Sequence, residues 1–143
     1  MENKIIGNTQ FDSVQDFHGG FAVVRLGVKL NFANRKGKIL CDTWFDFVTD
    51  FSAGYAVVCQ DAKYNFINRK GKLLCGTWFD YAAPFRKGYA TIQLGDKYNF
   101  VNREGEIVSD TWFSNYWDCF VEQQSMAPQW ARRVANGELF EIY

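Results

Sequence analysis

The stretch that decides the fold of this chain is KYNFINRKGK, at residues 63–72. Near copies stand 34 residues away on either side, as KLNFANRKGK at 29–38 and KYNFVNREGE at 97–106. The first half of each copy is rich in aromatic and β-branched residues, which predicts a strand. The second half, Asn-Arg-Lys-Gly or Asn-Arg-Glu-Gly, predicts a type I turn whose glycine is the left-handed residue of a G1 bulge.

The 34-residue period continues outside this stretch. One aromatic column holds Phe11, Phe45, Phe79 and Phe113. We therefore divide the chain into a partial repeat at 1–10, full repeats at 11–44, 45–78 and 79–112, and a C-terminal cap at 113–143. A chain of 143 residues suits one domain, and repeats of this kind bury their apolar surface on one another. The sequence therefore predicts a single repeat domain over 1–143.

The second repeat predicts the local structure of all three. Strands are expected at 55–59 and 63–68, followed by a short third strand at 73–75. Apolar residues point to both faces of these strands, so each sheet should be covered on both sides.

We predict an all-β fold, an open twisted array of three hairpin repeats that resembles a solenoid. A helix at 128–135 and a strand at 139–143 should cap it. The alternative is a closed, propeller-like ring, in which residues 4–6 pair with residues 139–143.

Composition excludes several functional classes. Sixteen basic and sixteen acidic residues cancel, so no overall field attracts nucleic acid or an anionic membrane. The N-terminus lacks the layout of a signal peptide, and the chain has no apolar run of transmembrane length. We expect a cytoplasmic protein. The four cysteines form no CxxC pair, which favours small buried thiols over a zinc site.

The repeat resembles the bacterial WG-repeat family. The resemblance covers roughly residues 4–112, and these residues carry it in the second repeat: Phe51, Gly54, Tyr55, Ala56, Lys63, Tyr64, Asn65, Phe66, Ile67, Asn68, Gly71 and Lys72. The Trp-Gly pair that names the family is replaced by Leu30-Asn31, Tyr64-Asn65 and Tyr98-Asn99.

Because asparagine substitutes best for glycine at positive φ, the replacement predicts a bulge or a left-handed residue in that strand. The resemblance implies an all-β repeat module, common in bacteria and their phages, and brings no catalytic residue.

No residue pattern indicates chemistry. His18 has no oriented partner nearby in sequence and is expected to be a solvated loop residue. The column of Asp12, Asp46 and Asp80 is expected to accept hydrogen bonds from backbone amides at the junction turn. We therefore expect no catalytic residue, no cofactor and no metal site.

Binding residues are sought in two places. The basic turns align Arg35, Arg69 and Arg103, which would either deter edge-to-edge aggregation or attract an acidic partner or anion. The invariant aromatic columns are interpreted as packing, so recognition should use residues that break the repeat. The candidates in the cap are of types enriched in binding hot spots, namely Tyr116, Trp117, Trp130, Arg132 and Arg133.

The sequence thus favours a non-enzymatic protein–protein interaction module. A small inhibitor, an immunity-type protein or an adaptor of a bacterium or phage would fit, acting as a monomer or weak homo-oligomer on another protein. The alternative is a ligand-binding repeat protein, in which rings of adjacent hairpins hold a glycan or a cation.

Overall fold

A computed structural model describes residues 4–119, which form eleven strands and one helical turn. The strands are β1 Lys4–Ile6, β2 Thr9–Phe11, β3 Ser13–His18, β4 Phe21–Leu26, β5 Lys29–Ala33, β6 Phe47–Val48, β7 Tyr55–Gln60, β8 Lys63–Asn68, β9 Tyr81–Ala82, β10 Tyr89–Leu94 and β11 Lys97–Asn102. The helical turn covers residues 116–119. The predicted all-β class is confirmed.

The chain divides into two compact units, Met1–Trp78 and Phe79–Tyr143. The described part of the first unit contains β1–β8, and that of the second contains β9–β11 and the helical turn. The single domain over 1–143 stays a prediction. The predicted elements at 128–135 and 139–143 lie outside the described residues, so the open array and the closed ring both stay predictions.

Each full repeat contributes one three-stranded antiparallel sheet, and its second strand is central. The sheets are ordered β3-β4-β5, β6-β7-β8 and β11-β10-β9, and β1 pairs with β2 in a separate hairpin. The long hairpin strands lie where the sequence predicts them. The first strand of each sheet is the junction segment that follows the periodic phenylalanine.

The Asn-x-x-Gly turns take the predicted form. Gly37, Gly71 and Gly105 have φ between +82° and +84°. The backbone N–H of Gly37 donates to the Asn34 carbonyl at 3.0 Å, and the Asn34 side-chain oxygen accepts from the amides of Lys36 and Lys38. A Cβ on Gly37 would also overlap the carbonyl of Ile6. Glycine is needed here both for its φ and for this close approach.

Both faces of the first sheet are covered, as predicted for the stacked repeats. On one face Val24 and Ala33 pack with Ile6 and Phe11 of the N-terminal hairpin. On the other face Val23 and Phe32 belong to a cluster that includes residues of the second repeat, among them Phe45, Val48, Ala56, Val58 and Ile67. The periodic Phe11, Phe45 and Phe79 are at most 2% exposed.

The asparagines that replace the family's glycine do not adopt positive φ, so that prediction is wrong. Asn65 pairs in regular register with Val58, and its side chain is fully buried. Its side-chain oxygen accepts from the Phe66 amide at 2.7 Å, and its Nδ2 donates to the Cys75 carbonyl at 3.0 Å. Asn31 and Asn99 make the corresponding pairs of bonds.

These asparagines also account for the short third strand. Because the Phe66 amide is satisfied by a side chain, backbone pairing of residues 73–75 is reduced to one bridge between Ile67 and Leu73. The Leu74 amide still donates to the Phe66 carbonyl at 2.8 Å. The asparagine therefore acts as a clamp that replaces ladder hydrogen bonds and fixes the connection to the next repeat.

Candidate functional site

The repeat pattern ends directly after Phe113. Phe113 exchanges two backbone hydrogen bonds with Tyr98, at 2.8 and 2.9 Å, just as Phe45 does with Leu30. Beyond Phe45 the chain enters strand β6, whereas beyond Phe113 it forms the helical turn at 116–119.

Asn115 caps this turn. Its side-chain oxygen accepts from the Asp118 amide at 2.8 Å, and its Nδ2 donates to the Asp118 carboxylate at 3.0 Å. This is the arrangement of an N-cap. The sequence reasoning missed the turn, although Asn-x-x-Asp at 115–118 was the available signal.

A buried cysteine anchors the same turn to the sheet. Cys119 is fully buried and clusters with Tyr89 and Phe100. Its sulfur lies 3.7 Å from the Asn99 carbonyl oxygen. The turn is therefore fixed at both ends, which holds Tyr116 in a defined position over the sheet.

Tyr116 closes one side of an aromatic cleft. Tyr81, Gln93 and Tyr98 are direct neighbours across β9, β10 and β11, because Gln93 pairs with Tyr81 on one side and with Tyr98 on the other. The ring of Tyr116 lies 6.3 Å from that of Tyr81 and 5.9 Å from that of Tyr98. These four side chains, which we call the tyrosine cleft, line a cavity of about 380 Å³.

Hydrogen bonds orient the polar group of the cleft. The Gln93 Nε2 donates to the Gly95 carbonyl at 2.9 Å, and Asp80 accepts from the Gly95 amide at 2.6 Å. Within the described residues, no donor is bonded to the side-chain oxygen of Gln93. The cleft therefore offers a fixed amide acceptor among three phenol rings.

The described side chains of the cleft include no carboxylate and no basic group. Burial raises the pKa of Tyr81, and the neighbouring phenols of Tyr116 and Tyr98 raise it further. Tyr81 therefore stays protonated near neutral pH and presents a neutral, electron-rich ring to the cleft.

The cleft occupies a position that varies between repeats. In each sheet, three residues that pair across the three strands form a row. We call the row that contains Gln93, or its equivalent in the other repeats, the outer row. The adjacent row, one residue away on every strand, is the inner row. The outer rows are Ser13-Arg25-Leu30, Phe47-Cys59-Tyr64 and Tyr81-Gln93-Tyr98. The inner rows are Val14-Val24-Asn31, Val48-Val58-Asn65 and Ala82-Ile92-Asn99.

The predicted cap residues are only partly described. Tyr116 is part of the cleft and 39% exposed, and the adjacent Trp117 is 65% exposed. Trp130, Arg132 and Arg133 lie outside the described residues. Sequence reasoning missed Tyr81, Gln93 and Tyr98, whose association with Tyr116 follows from the strand register.

Two of the three arginines in the predicted row contact aromatic rings. The Arg35 guanidinium lies 4.3 Å from the centroid of Phe17, and that of Arg69 lies 5.9 Å from the centroid of Phe51. A Cβ on Gly19 would overlap the Arg69 guanidinium. Arg103 is exposed on the equivalent turn of the second unit. Partner binding by these arginines stays a prediction, but the observed contacts give Arg35 and Arg69 a packing role.

The aspartate column satisfies backbone amides, as predicted, but at a different turn. Asp12 accepts from the Gly27 amide at 2.7 Å, and Asp46 accepts from the Asp61 amide at 2.9 Å. Both amides belong to the tight turn of the hairpin in the same repeat. His18 ends strand β3, where its Nε2 lies 3.7 Å from an Asp50 carboxylate oxygen.

Comparison with known proteins identifies a family without assigning an activity. Among the described residues, no helix is long and apolar enough to cross a membrane. No curated protein matches the sequence significantly. Five chains of solved structures match. One of them, described as KlHsv2 with loop 6CD replaced by a Gly-Ser linker, is 14% identical with a TM-score of 0.46.

That match covers 70% of this chain, which spans 40% of the length of the other chain. A likeness at this level assigns neither fold nor function. The family described as WG containing repeat matches three consecutive segments, residues 2–29, 32–64 and 66–98. Together these segments include most of the sequence and follow its period, and the chain belongs to the WG-repeat family.

Proposed function

We propose that this protein is a non-enzymatic binding module that recognises another protein where its repeats end. The proposed surface, which we call the terminal face, consists of the tyrosine cleft and Trp117. An inhibitor, an immunity-type protein or an adaptor in the cytoplasm of a bacterium or phage-infected cell would use such a surface. Membership of a repeat family supports the broader idea of a binding module.

The observation that carries the proposal is the exposure of Trp117 on an anchored turn. Trp117 is 65% exposed, whereas the repeat tryptophans are less exposed. Trp44 and Trp78 are half-buried and pack against core clusters, and Trp112 is 36% exposed. Tryptophan and tyrosine are enriched in binding hot spots because they bury a large area with few rotatable bonds. Trp117 also stands on a capped turn, so little conformational entropy is lost when a partner binds.

Variation between the repeats supports the same surface. The repeated turn residues, buried asparagines and junction phenylalanines have structural roles in turns, clamps and core packing. The third outer row differs from the other two and lies under the segment that departs from the period. A partner would therefore meet a surface that occurs once in the chain.

The test is quantitative capture of cellular proteins by the full chain and two variants. We expect Trp117→Ala to lose at least one partner that the wild type retains. Phe47→Ala is the matched control, because Phe47 is a 49% exposed aromatic residue in the same column as Tyr81. Equal partner sets for wild type, Trp117→Ala and Phe47→Ala would contradict the proposal. If Trp117→Ala does lose a partner, the genes that neighbour this one would help to identify the class of that partner.

A second candidate function is the binding of a small ligand. The tyrosine cleft favours it, since about 380 Å³ lies within the size range of small-molecule sites. A glycan or a cation would be the ligand. This function and protein recognition are compatible, because the ligand group can belong to a protein side chain.

A further inference from the structure

We propose that the tyrosine cleft binds a methylated ammonium group. The group is carried either by a free small molecule or by a side chain of the partner protein. This inference rests on the proposed function, since the cleft forms part of the terminal face, and it names the chemistry that the cleft recognises.

The geometry of the three tyrosine rings supports a methylated ammonium ligand. The Tyr116 ring stands at 81° to that of Tyr81 and at 73° to that of Tyr98. At these centroid distances Tyr116 packs edge-to-face against both neighbours, so the three rings that line the cavity differ in orientation. The cavity is thus bordered by aromatic surface in more than one direction. This is the arrangement that holds quaternary ammonium groups, because their charge is spread over methyl groups that contact ring faces.

The polar lining agrees with a weakly hydrated cation. Among the described residues the lining has no carboxylate, so these side chains do not supply the charged oxygen ligands that a metal ion or a strongly hydrated ammonium needs. It has the side-chain oxygen of Gln93, whose Nε2 is already bonded to Gly95. A partial negative charge beside three π systems favours a diffuse positive charge.

Other ligand classes fit the lining less well. Among the described lining residues an anion would meet no cationic side chain, and it would face the electron-rich rings. A sugar presents several hydroxyl groups, and besides the phenols the described lining residues supply only one side-chain amide to pair with them. Tyr116 also meets both neighbouring rings nearly at right angles, which leaves no broad stacked platform. A methylated ammonium group needs neither several hydrogen-bond partners nor a stacked aromatic platform.

The test compares choline with its uncharged isostere, 3,3-dimethylbutan-1-ol, on the full chain. Binding is measured by calorimetry and by tyrosine fluorescence, in matched sodium chloride. We expect choline and tetramethylammonium to bind in the millimolar range. The isostere should bind at least about tenfold more weakly, because it has the same shape without the charge. Acetylated trimethyl-lysine amide and acetylated lysine amide distinguish a side-chain source from a free ligand.

Variants locate the binding. Tyr116→Ala should weaken choline binding at least about tenfold, whereas Tyr116→Phe keeps the ring and should stay within about twofold. Gln93→Leu removes the amide acceptor and should weaken binding about threefold. Phe47→Ala is the control outside the cleft and should bind as the wild type does. Tyr116→Phe and Gln93→Leu keep the proposal testable if Tyr116→Ala does not fold.

Three results would overturn the proposal. These are equal binding of choline and its isostere, unchanged binding by Tyr116→Ala, and no binding of any methylated ammonium probe. The proposed function fails separately, since it depends on partner capture and on Trp117→Ala. Partner capture that needs Trp117, without any ammonium binding, would leave the terminal face in place and reject only its ligand.

Discussion

The inner and outer rows cross the same three strands of each sheet, one residue apart, and they differ in how much their residues vary between the repeats. The inner row ends in the same buried asparagine in all three repeats, at Asn31, Asn65 and Asn99. The outer row has no residue type in common across the three repeats. Because side chains alternate along a strand, a step of one residue separates the scaffold from the proposed recognition surface.

The two rows indicate which sequence positions can vary in a repeat protein of this kind. The inner asparagine satisfies backbone groups in its own repeat, so every copy needs it. The outer row reaches solvent at its first strand in the second and third repeats, where Phe47 is 49% and Tyr81 is 37% exposed. Within residues 4–119, a helical turn lies over that row only in the third repeat, where it forms a cleft.

The largest expected effect comes from removing an amide from each row of the same sheet. Asn99→Ala leaves the Phe100 amide and the Ser109 carbonyl without their buried partner. We expect a loss of about 3 kcal/mol in the free energy of unfolding. Gln93→Ala, in the outer row, should cost less than about 1 kcal/mol. Chemical denaturation measures both, and equal losses would remove the distinction between the rows.

A smaller effect is expected at the cap that separates the third repeat from the others. Asn115→Ala removes the side-chain acceptor of the Asp118 amide and should destabilise the turn by about 1 kcal/mol. Asn115→Ser keeps a side-chain acceptor without placing a second carboxylate beside Asp118, and it serves as the control. The readout is amide exchange at Cys119 together with choline affinity. An unchanged exchange rate in Asn115→Ala would show that the turn does not depend on its cap.

Alkaline titration separates a scaffold phenol from a cleft phenol. Burial raises the pKa of Tyr89 to about 12, and burial with neighbouring phenols raises that of Tyr81. The unfolded chain ionises near pH 10 and the folded chain keeps these protons longer, so stability falls as the pH rises from about 10 to 12. Tyr89→Phe should reduce this fall more than Tyr81→Phe.

The same titration in the presence of choline tests where the ligand binds. A bound cation should lower the apparent pKa of Tyr81, next to it, and leave that of Tyr89 unchanged. Ultraviolet absorbance of Tyr81→Phe and Tyr89→Phe assigns the two transitions. A shift confined to Tyr89, or no shift in the presence of bound choline, would contradict the location of the site.

The smallest effect is expected from making the second outer row more like the third. Phe47→Tyr adds a phenol beside Cys59 and Tyr64, but one period before Tyr116 stands Ala82, a strand residue. We expect no additional choline site and a stability change within about 0.5 kcal/mol. Calorimetric stoichiometry checks this. A second site in Phe47→Tyr would mean that the row alone suffices and that the helical turn is dispensable.

Much of the fold was predictable from the sequence because local signals agree with the final structure. The strands at 55–60 and 63–68 follow from β-branched and aromatic residues, and the turn at Asn68 and Gly71 from its Asn-x-x-Gly pattern. The reduced third strand was not predictable in this way. Its cause is a side-chain clamp by Asn65, which only burial and register reveal.

The site was predictable only in part. Tyr116 and Trp117 stand out because they break the period and belong to residue types that bind. Tyr81, Gln93 and Tyr98 look like ordinary strand residues, and their meeting with Tyr116 depends on cross-strand register and on the turn capped by Asn115. Tertiary neighbours of this kind leave no local pattern in the sequence.

The most direct test of the central claim is to map choline onto the isotope-labelled full chain by nuclear magnetic resonance. The claim is that the scaffold is common to the repeats and that recognition lies in the third outer row under the helical turn. We predict chemical-shift changes at Tyr81, Gln93, Tyr98 and Tyr116, and none at Phe47, Cys59 and Tyr64. Equal changes in both rows, or changes confined to the second repeat, would contradict it.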